Sequence, residues 1–201
     1  MRIIARSPRV RLTHALYLVL LVLVATSDGR FIQRGWALPA QSPGFLLVTA
    51  GVLGRMWTTV FITGRKDVQL VRDGPYSVSR HPLYLCSIVA AIGIGLTTLS
   101  LSRTVLLPLL VGIIVIIAAR REDAVLLAAY GAAFREYRDR VPVFWPACSQ
   151  WQPSPATVLV QPGIYRRAFQ DAAAFLCLWL LILVLESLHA GGAWPTLFQL
   201  P

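Results

Sequence analysis

Long apolar runs separated by short polar segments dominate the chain. The runs cover approximately residues 12–26, 44–63, 83–99, 104–119 and 168–190. A straight membrane-spanning helix needs about 20 apolar residues, and several of these runs are shorter. The pattern predicts an all-α, polytopic membrane protein, a helical bundle of about five spans in which the third and fourth runs form a thin hairpin.

A different periodicity follows the fourth run. Residues 122–140 fit a helix in which Leu126, Tyr130, Phe134 and Tyr137 recur at spacings of three and four and form one apolar-aromatic stripe. This stripe predicts a cytoplasmic amphipathic helix after the fourth span.

The runs divide the chain into three parts. Residues 1–43 form an N-terminal span and a loop, and residues 44–146 form a core of three spans with the amphipathic helix. Residues 147–201 form a proline-rich linker and a C-terminal span. Only 14% of the residues are charged, whereas about 25% are charged in a soluble domain, which agrees with a membrane protein.

The net charge of +10 is unevenly distributed along the chain. With a cytoplasmic N-terminus, the segment before residue 12 and segments 64–82 and 120–167 lie on one side and hold 15 of the 19 Lys and Arg residues. The positive-inside rule explains this asymmetry, so we expect anionic lipid rather than nucleic acid as a partner. The three cysteines have no metal-ligand spacing, and we expect no metal.

The segment Gly74–Leu85 places several polar side chains at the start of the third run. It reads Gly-Pro-Tyr-Ser-Val-Ser-Arg-His-Pro-Leu-Tyr-Leu. Pro82 suits the first helical position, which makes His81 the N-cap and leaves free N–H groups that favour an anion. Arg80 adds a guanidinium fork. Alternatively, Arg80 anchors the helix to lipid headgroups while His81 only caps it.

Two acids, Glu122 and Asp123, follow the fourth run next to Arg120 and Arg121. They form either a salt-bridged helix start or a site for a cation or the hydroxyls of a ribose. An anion pole at Arg80 and a cation pole at the acids would suit a zwitterion such as S-adenosylmethionine.

Two motifs carry a family resemblance. They read Gly-Pro-Tyr-x-x-x-Arg-His-Pro-x-Tyr and, about forty residues later, Glu-Asp-x-x-Leu-x-x-x-Tyr-Gly-x-x-Phe-x-x-Tyr. Over roughly residues 51–146 the chain resembles the isoprenylcysteine carboxyl methyltransferase family, membrane enzymes related to phospholipid N-methyltransferases. The segments 54–57 and 64–67 resemble a bacterial branch, which implies a bacterial inner membrane. The positive-inside rule places both motifs, and therefore the expected active site, on the cytoplasmic side.

The resemblance implies an integral-membrane enzyme that moves a methyl group from S-adenosylmethionine to an amphiphilic or lipid-like acceptor. Asp123 replaces a family Glu and Phe134 a family Tyr, which leaves the acceptor open, including whether it is methylated on O, N or S. If the acceptor is a carboxylate, Arg80 or Arg55 beside it would assist its partial desolvation. If it is an amine, Glu122 or His81 would be the candidate base. By the same resemblance, the cofactor pocket would be lined by Tyr76, Arg80, His81, Pro82, Tyr84, Leu85, Glu122, Asp123 and Tyr137.

Arg55 lies inside the second run, where an arginine needs a partner. Two partners are considered: the carboxylate of a substrate, which would give Arg55 a catalytic role, or a structural bridge to Glu122 or Asp123.

Two other functions are considered. A sterol-reductase-like membrane enzyme would bind NADPH, but the complete Arg-His-Pro-x-Tyr motif argues against it. A membrane scaffold would keep the fold without catalysing a reaction.

Overall fold

The computed structural model describes residues 27–28, 37–65, 68–155, 157–158, 160–190 and 198–199. Two short strands, β1 (Ser27–Asp28) and β2 (Phe198–Gln199), pair in parallel. Otherwise the regular structure is helical, as predicted. The helices are α1 (Ala37–Ile62), α2 (Pro75–Val78), α3 (Pro82–Thr97), α4 (Leu101–Tyr130), α5 (Ala132–Arg140) and α6 (Pro162–Ala190), with a 3-10 turn at Cys148–Gln150.

Three of the helices are long and apolar enough to cross a membrane. These stretches are Gln41–Ile62 in α1, Leu101–Tyr130 in α4 and Pro162–Leu188 in α6. Helix α3 has 16 residues and is therefore about 24 Å long, short of a hydrocarbon core of about 30 Å. The predicted first span, 12–26, lies outside the described residues, so the count of five spans stays a prediction.

Helix α3 is held against α1 by close contact of the two backbones. A Cβ atom added to Gly93 of α3 would lie 2.6 Å from the backbone nitrogen of Val48, and one added to Gly44 of α1 would lie 2.7 Å from the carbonyl oxygen of Gly93. Glycine is needed at both positions because no side chain fits between the helices. The start of α1 therefore meets the end of α3, and the two helices are antiparallel.

Contacts at the opposite end of the bundle from Arg80 fix the direction of the other helices. Gln41 Nε2 donates to the carbonyl oxygen of Thr97, and Trp179 Nε1 donates to its Oγ1. Arg103 near the start of α4 forms an ion pair with Glu186 near the end of α6. The four apolar helices α1, α3, α4 and α6 thus alternate in direction. As predicted, the segments following α1 and α4 lie at the same end, which we call the motif end.

The prediction of a separate helix over residues 122–140 is wrong at its start. Helix α4 continues through Glu122 and Asp123 to Tyr130. Gly131 then adopts a φ of 52°, which only glycine adopts readily, and separates α4 from α5. The two acids therefore lie within one continuous helix rather than at a helix start.

The predicted apolar-aromatic stripe is confirmed across this break. Phe134, Tyr137 and Val141 form a buried cluster, against which Leu126 and Tyr130 pack. Because residues of both α4 and α5 contribute, the cluster fixes the angle at Gly131.

Candidate functional site

The proline-rich segment after α5 fixes the backbone of the Arg-His-Pro motif. The amide of Arg80 donates to the carbonyl oxygen of Pro142 at 2.9 Å, and that of His81 donates to Val143 at 3.1 Å. The amide of Gly74 likewise donates to the carbonyl oxygen of Gln152. This segment is irregular, as predicted. The sequence predicted only a linker here, whereas the segment packs along the motif through these backbone hydrogen bonds. The division of the chain into three parts stays a prediction.

Five side chains of the two sequence motifs meet in one group, which we call the charged cluster: Arg80, His81, Tyr84, Glu122 and Asp123. Arg80 Nη1 lies 2.6 Å from Oδ2 of Asp123, and His81 Nε2 lies 2.9 Å from the other oxygen, Oδ1. The Tyr84 hydroxyl donates to Oε2 of Glu122 at 2.9 Å. Helix α3 and the continued α4 thus bring together residues about forty positions apart in the chain.

His81 is buried between aromatic rings. Its ring stacks on Tyr84, with centroids 5.5 Å apart, and its centroid lies 6.3 Å from that of Phe144. Its side chain makes no capping hydrogen bond to α3, so it is not the plain cap considered above. Sequence reasoning missed Phe144 because it lies in a segment without helical periodicity.

The charged cluster does not have the separated poles expected from the sequence. Arg80 and Asp123 neutralise each other, and their side chains are only 10% and 22% exposed. Two groups of the cluster have unused hydrogen-bonding capacity. Nε of Arg80 is buried without a hydrogen-bond partner, and Glu122, with a side chain 29% exposed, is the more open of the two acids.

Tyr76 and Tyr137 lie behind the cluster and are buried. The Tyr137 hydroxyl donates to the backbone carbonyl oxygen of Tyr76 at 2.7 Å and so joins α5 to α2. Burial raises the pKa of both hydroxyls well above the ordinary value for tyrosine. Both side chains are therefore neutral at physiological pH.

The apolar residues of the motif shape the start of α3. Pro82 is buried at the first turn of the helix, as predicted. The amide of Leu85 donates to the carbonyl oxygen of His81 and closes that turn.

Arg55 lies apart from the charged cluster. Its Nη1 donates to Oγ of Ser87 at 2.7 Å, and Arg55 forms no ion pair with Glu122 or Asp123, all three being described residues. The predicted alternative of a structural bridge is therefore wrong, because Arg55 faces α3 rather than α4. Ser87 follows Tyr84 by three residues on α3, so Arg55 contacts the helix one turn deeper than the Tyr84–Glu122 hydrogen bond.

Comparison with known proteins identifies the family. The family described as phospholipid methyltransferase matches residues 42–133. The nickel-cobalt-cadmium resistance protein NccN of Alcaligenes xylosoxydans xylosoxydans is 32% identical over 183 residues, covering 91% of this chain and 85% of that protein. The chain belongs to the phospholipid methyltransferase family. The resemblance drawn from the two motifs is thereby confirmed.

A second family relative is the cobalt-zinc-cadmium resistance protein CzcN of Cupriavidus metallidurans. It is 35% identical over 149 residues, which cover 74% of this chain and 68% of that protein. No solved structure matches the chain. The matched region of this phospholipid methyltransferase family member contains the entire charged cluster and Arg55 but ends before Tyr137.

Both family relatives are named for metal resistance. Among the described residues, no group of three or more His, Cys, Asp or Glu side chains could hold a metal ion.

Proposed function

We propose that this protein transfers a methyl group from S-adenosylmethionine to an amphiphilic acceptor at the cytoplasmic surface of a bacterial inner membrane. The charged cluster is the observation that carries the proposal. It joins both family motifs at the motif end of a bundle whose helices are long and apolar enough to cross a membrane.

The groups of the cluster with unused hydrogen-bonding capacity fit this cofactor. Nε of Arg80, which lacks a partner, and the first turn of α3 suit its carboxylate. Glu122, which accepts a hydrogen bond from Tyr84, suits its amino group. When bound, S-adenosylmethionine supplies a methyl group already activated by a sulfonium. The charged cluster therefore has to hold and orient rather than activate the donor.

Arg55 is suited to an anionic group of the acceptor. It lies inside the apolar part of α1, and among the described residues its side chain donates to the neutral Ser87 on α3. A guanidinium in apolar surroundings favours an anion. An acceptor bound there would have its head one helical turn from the Tyr84–Glu122 hydrogen bond.

The acceptor atom decides whether a base is needed. A carboxylate is already nucleophilic, so orientation and exclusion of water are sufficient. An amine must lose a proton. For that step the residues in place are Glu122 and Nδ1 of His81, which lies 3.7 Å from Oε2 of Glu122 while Nε2 is held by Asp123.

The test is methyl transfer by the purified protein in lipid nanodiscs. The protein is incubated with S-adenosylmethionine carrying a labelled methyl group and with a bacterial lipid extract, and label in the organic phase is measured. We expect transfer by the parent and a loss of at least tenfold in Glu122→Gln. The matched control, Glu136→Gln, changes an exposed glutamate of α5. Binding of S-adenosylhomocysteine without any transfer would favour the scaffold, and binding of NADPH in its place would favour the reductase.

The names of the two relatives suggest a physiological role in metal resistance. We infer that methylation of a membrane component by this protein contributes to tolerance of nickel, cobalt or cadmium. A strain lacking the gene is grown with each metal and complemented with the parent or with Glu122→Gln. Restored growth with the parent alone supports the inference, whereas equal restoration by both would disconnect tolerance from methyl transfer.

A further inference from the structure

A half-open cavity of about 530 Å³ lies beside Tyr137 at the motif end of the bundle. Arg72, Arg140, Gln150 and Gln152 contribute polar side chains to it, and the buried residues Ser77 and Tyr137 form its floor. Of the residues that the resemblance assigns to the cofactor pocket, only Tyr137 lines it, and no member of the charged cluster does.

The lining of this cavity favours an anion. No acidic residue lines it, and Arg72 forms no ion pair with any other described residue. Arg140 pairs with Glu136, whose Oε1 lies 3.5 Å from Nη2 on the exposed surface of α5, where such a pair contributes little. Two guanidinium groups therefore face the cavity with most of their charge unbalanced.

The hydroxyl groups of the floor are already occupied. Oγ of Ser77 donates to the carbonyl oxygen of Gly74 and accepts from the backbone amide of Gln152. The hydroxyl of Tyr137 donates to the backbone carbonyl oxygen of Tyr76. The donors left for a ligand are the two arginines and the two glutamine amides at the rim. This donor set matches the several acceptor oxygens of a phosphate group.

Two exposed tryptophans near the cavity indicate the level of the lipid headgroups. Trp151, between the two glutamines in sequence, stacks on Trp57 of α1 with ring centroids 6.1 Å apart, and both indoles are 48% exposed. Exposed tryptophans near the end of a spanning helix are typical of the membrane interface. A volume of about 530 Å³ admits a phosphate together with the group esterified to it.

We propose that this cavity binds a phosphate ester, coordinated by Arg72 and Arg140, at a site distinct from that of the methyl donor. The ester is either the headgroup of an anionic phospholipid or a soluble phosphate ester, since both present the same oxygens. The proposal does not depend on methyl transfer, because it rests on the cavity and its two arginines alone.

The experiment measures binding of glycerol 3-phosphate to the purified full-length protein by calorimetry. We expect saturable binding that weakens at least tenfold in Arg72→Gln and in Arg140→Gln. Arg138→Gln is the matched control, because Arg138 is an exposed arginine of α5 that does not line the cavity. Arg72→Lys keeps the charge but loses the planar guanidinium fork. Its affinity for glycerol 3-phosphate should lie between those of the parent and Arg72→Gln.

Two further measurements distinguish the sources and the sites. If nanodiscs containing phosphatidylglycerol weaken glycerol 3-phosphate binding relative to phosphatidylcholine nanodiscs, the ligand is a lipid headgroup; equal binding in both indicates a soluble ester. Saturating S-adenosylhomocysteine should leave the binding unchanged. The proposal is overturned by absence of saturable binding in the parent, by equal weakening in Arg138→Gln, or by competition with S-adenosylhomocysteine.

Discussion

Arg80 and Asp123, 43 residues apart in the chain, form an ion pair with 2.6 Å between Nη1 and Oδ2 that joins the two motifs. The second oxygen of Asp123 is 2.9 Å from His81 Nε2. One carboxylate therefore orients both basic side chains of the Arg-His-Pro motif. Since Asp123 is shorter than the family's glutamate by one methylene, the helices have to approach closely for these contacts to form.

We expect Asp123→Ala to destabilise the protein and to abolish binding of S-adenosylhomocysteine. Removing the carboxylate leaves the largely buried Arg80 without a counter-ion, which costs roughly 3 kcal/mol or more. Thermal unfolding in detergent and equilibrium binding measure the two effects. Asp139→Ala, at a residue 72% exposed, is the control. Asp123→Glu should retain most of the binding of S-adenosylhomocysteine. Parental stability and binding in Asp123→Ala would show that Arg80 does not need Asp123 as its counter-ion.

We expect Arg55→Met to keep cofactor binding and stability while lowering methyl transfer at least tenfold. Stability is kept because no carboxylate is left unpaired, and the lost hydrogen bond to Ser87 is worth only about 1 kcal/mol. Ser87→Ala removes the same hydrogen bond and retains the guanidinium, so it should remain active. Equal rates for parent and Arg55→Met would exclude a role for Arg55 in binding the acceptor.

At the far end of the bundle, we expect Glu186→Gln to lower the free energy of unfolding by roughly 3–5 kcal/mol. Its partner Arg103 has a side chain only 4% exposed, so the arginine would be left charged and buried. Glu136→Gln, at an exposed residue, should have little effect. The double variant Arg103→Met with Glu186→Leu should recover stability, and failure to recover would show that the two side chains act separately.

Asp73 makes stability depend on pH. Burial alone would raise its pKa, but two hydrogen bonds and the charge of Arg65 outweigh burial and hold the pKa below the ordinary value of 3.8. The folded state therefore binds this proton less readily than the unfolded state, and the contribution is present above pH 4 and lost as pH falls below it.

Melting temperatures measured between pH 6 and pH 3 check this sign. The melting temperature of the parent should fall below about pH 4. The melting temperature of Asp73→Asn should be lower than that of the parent at pH 6 and should decrease less as the pH is lowered. Asp139→Asn should follow the parent. If the melting temperatures of the parent and of Asp73→Asn change with pH in parallel, Asp73 is not the cause of the pH dependence.

The sequence by itself determined much of this protein. Apolar runs predicted the long helices because burial in lipid requires them, Pro82 marked the start of α3, and the aromatic spacing of Phe134 and Tyr137 predicted the buried stripe. The two motifs also predicted the five residues that form the charged cluster. These features were readable because each depends on local geometry or on a pattern of residue types.

Only the tertiary structure decided how the charges are paired. An arginine in a sequence can reach any nearby acid, and which one it meets depends on the rotation and distance of the packed helices. Close packing at Gly93 places Arg55 against Ser87 rather than an acid, and the continuation of α4 through Asp123 brings that carboxylate to Arg80. The docking of Phe144 and the cavity at Arg72 likewise arise from contacts between segments far apart in the chain, which no local pattern records.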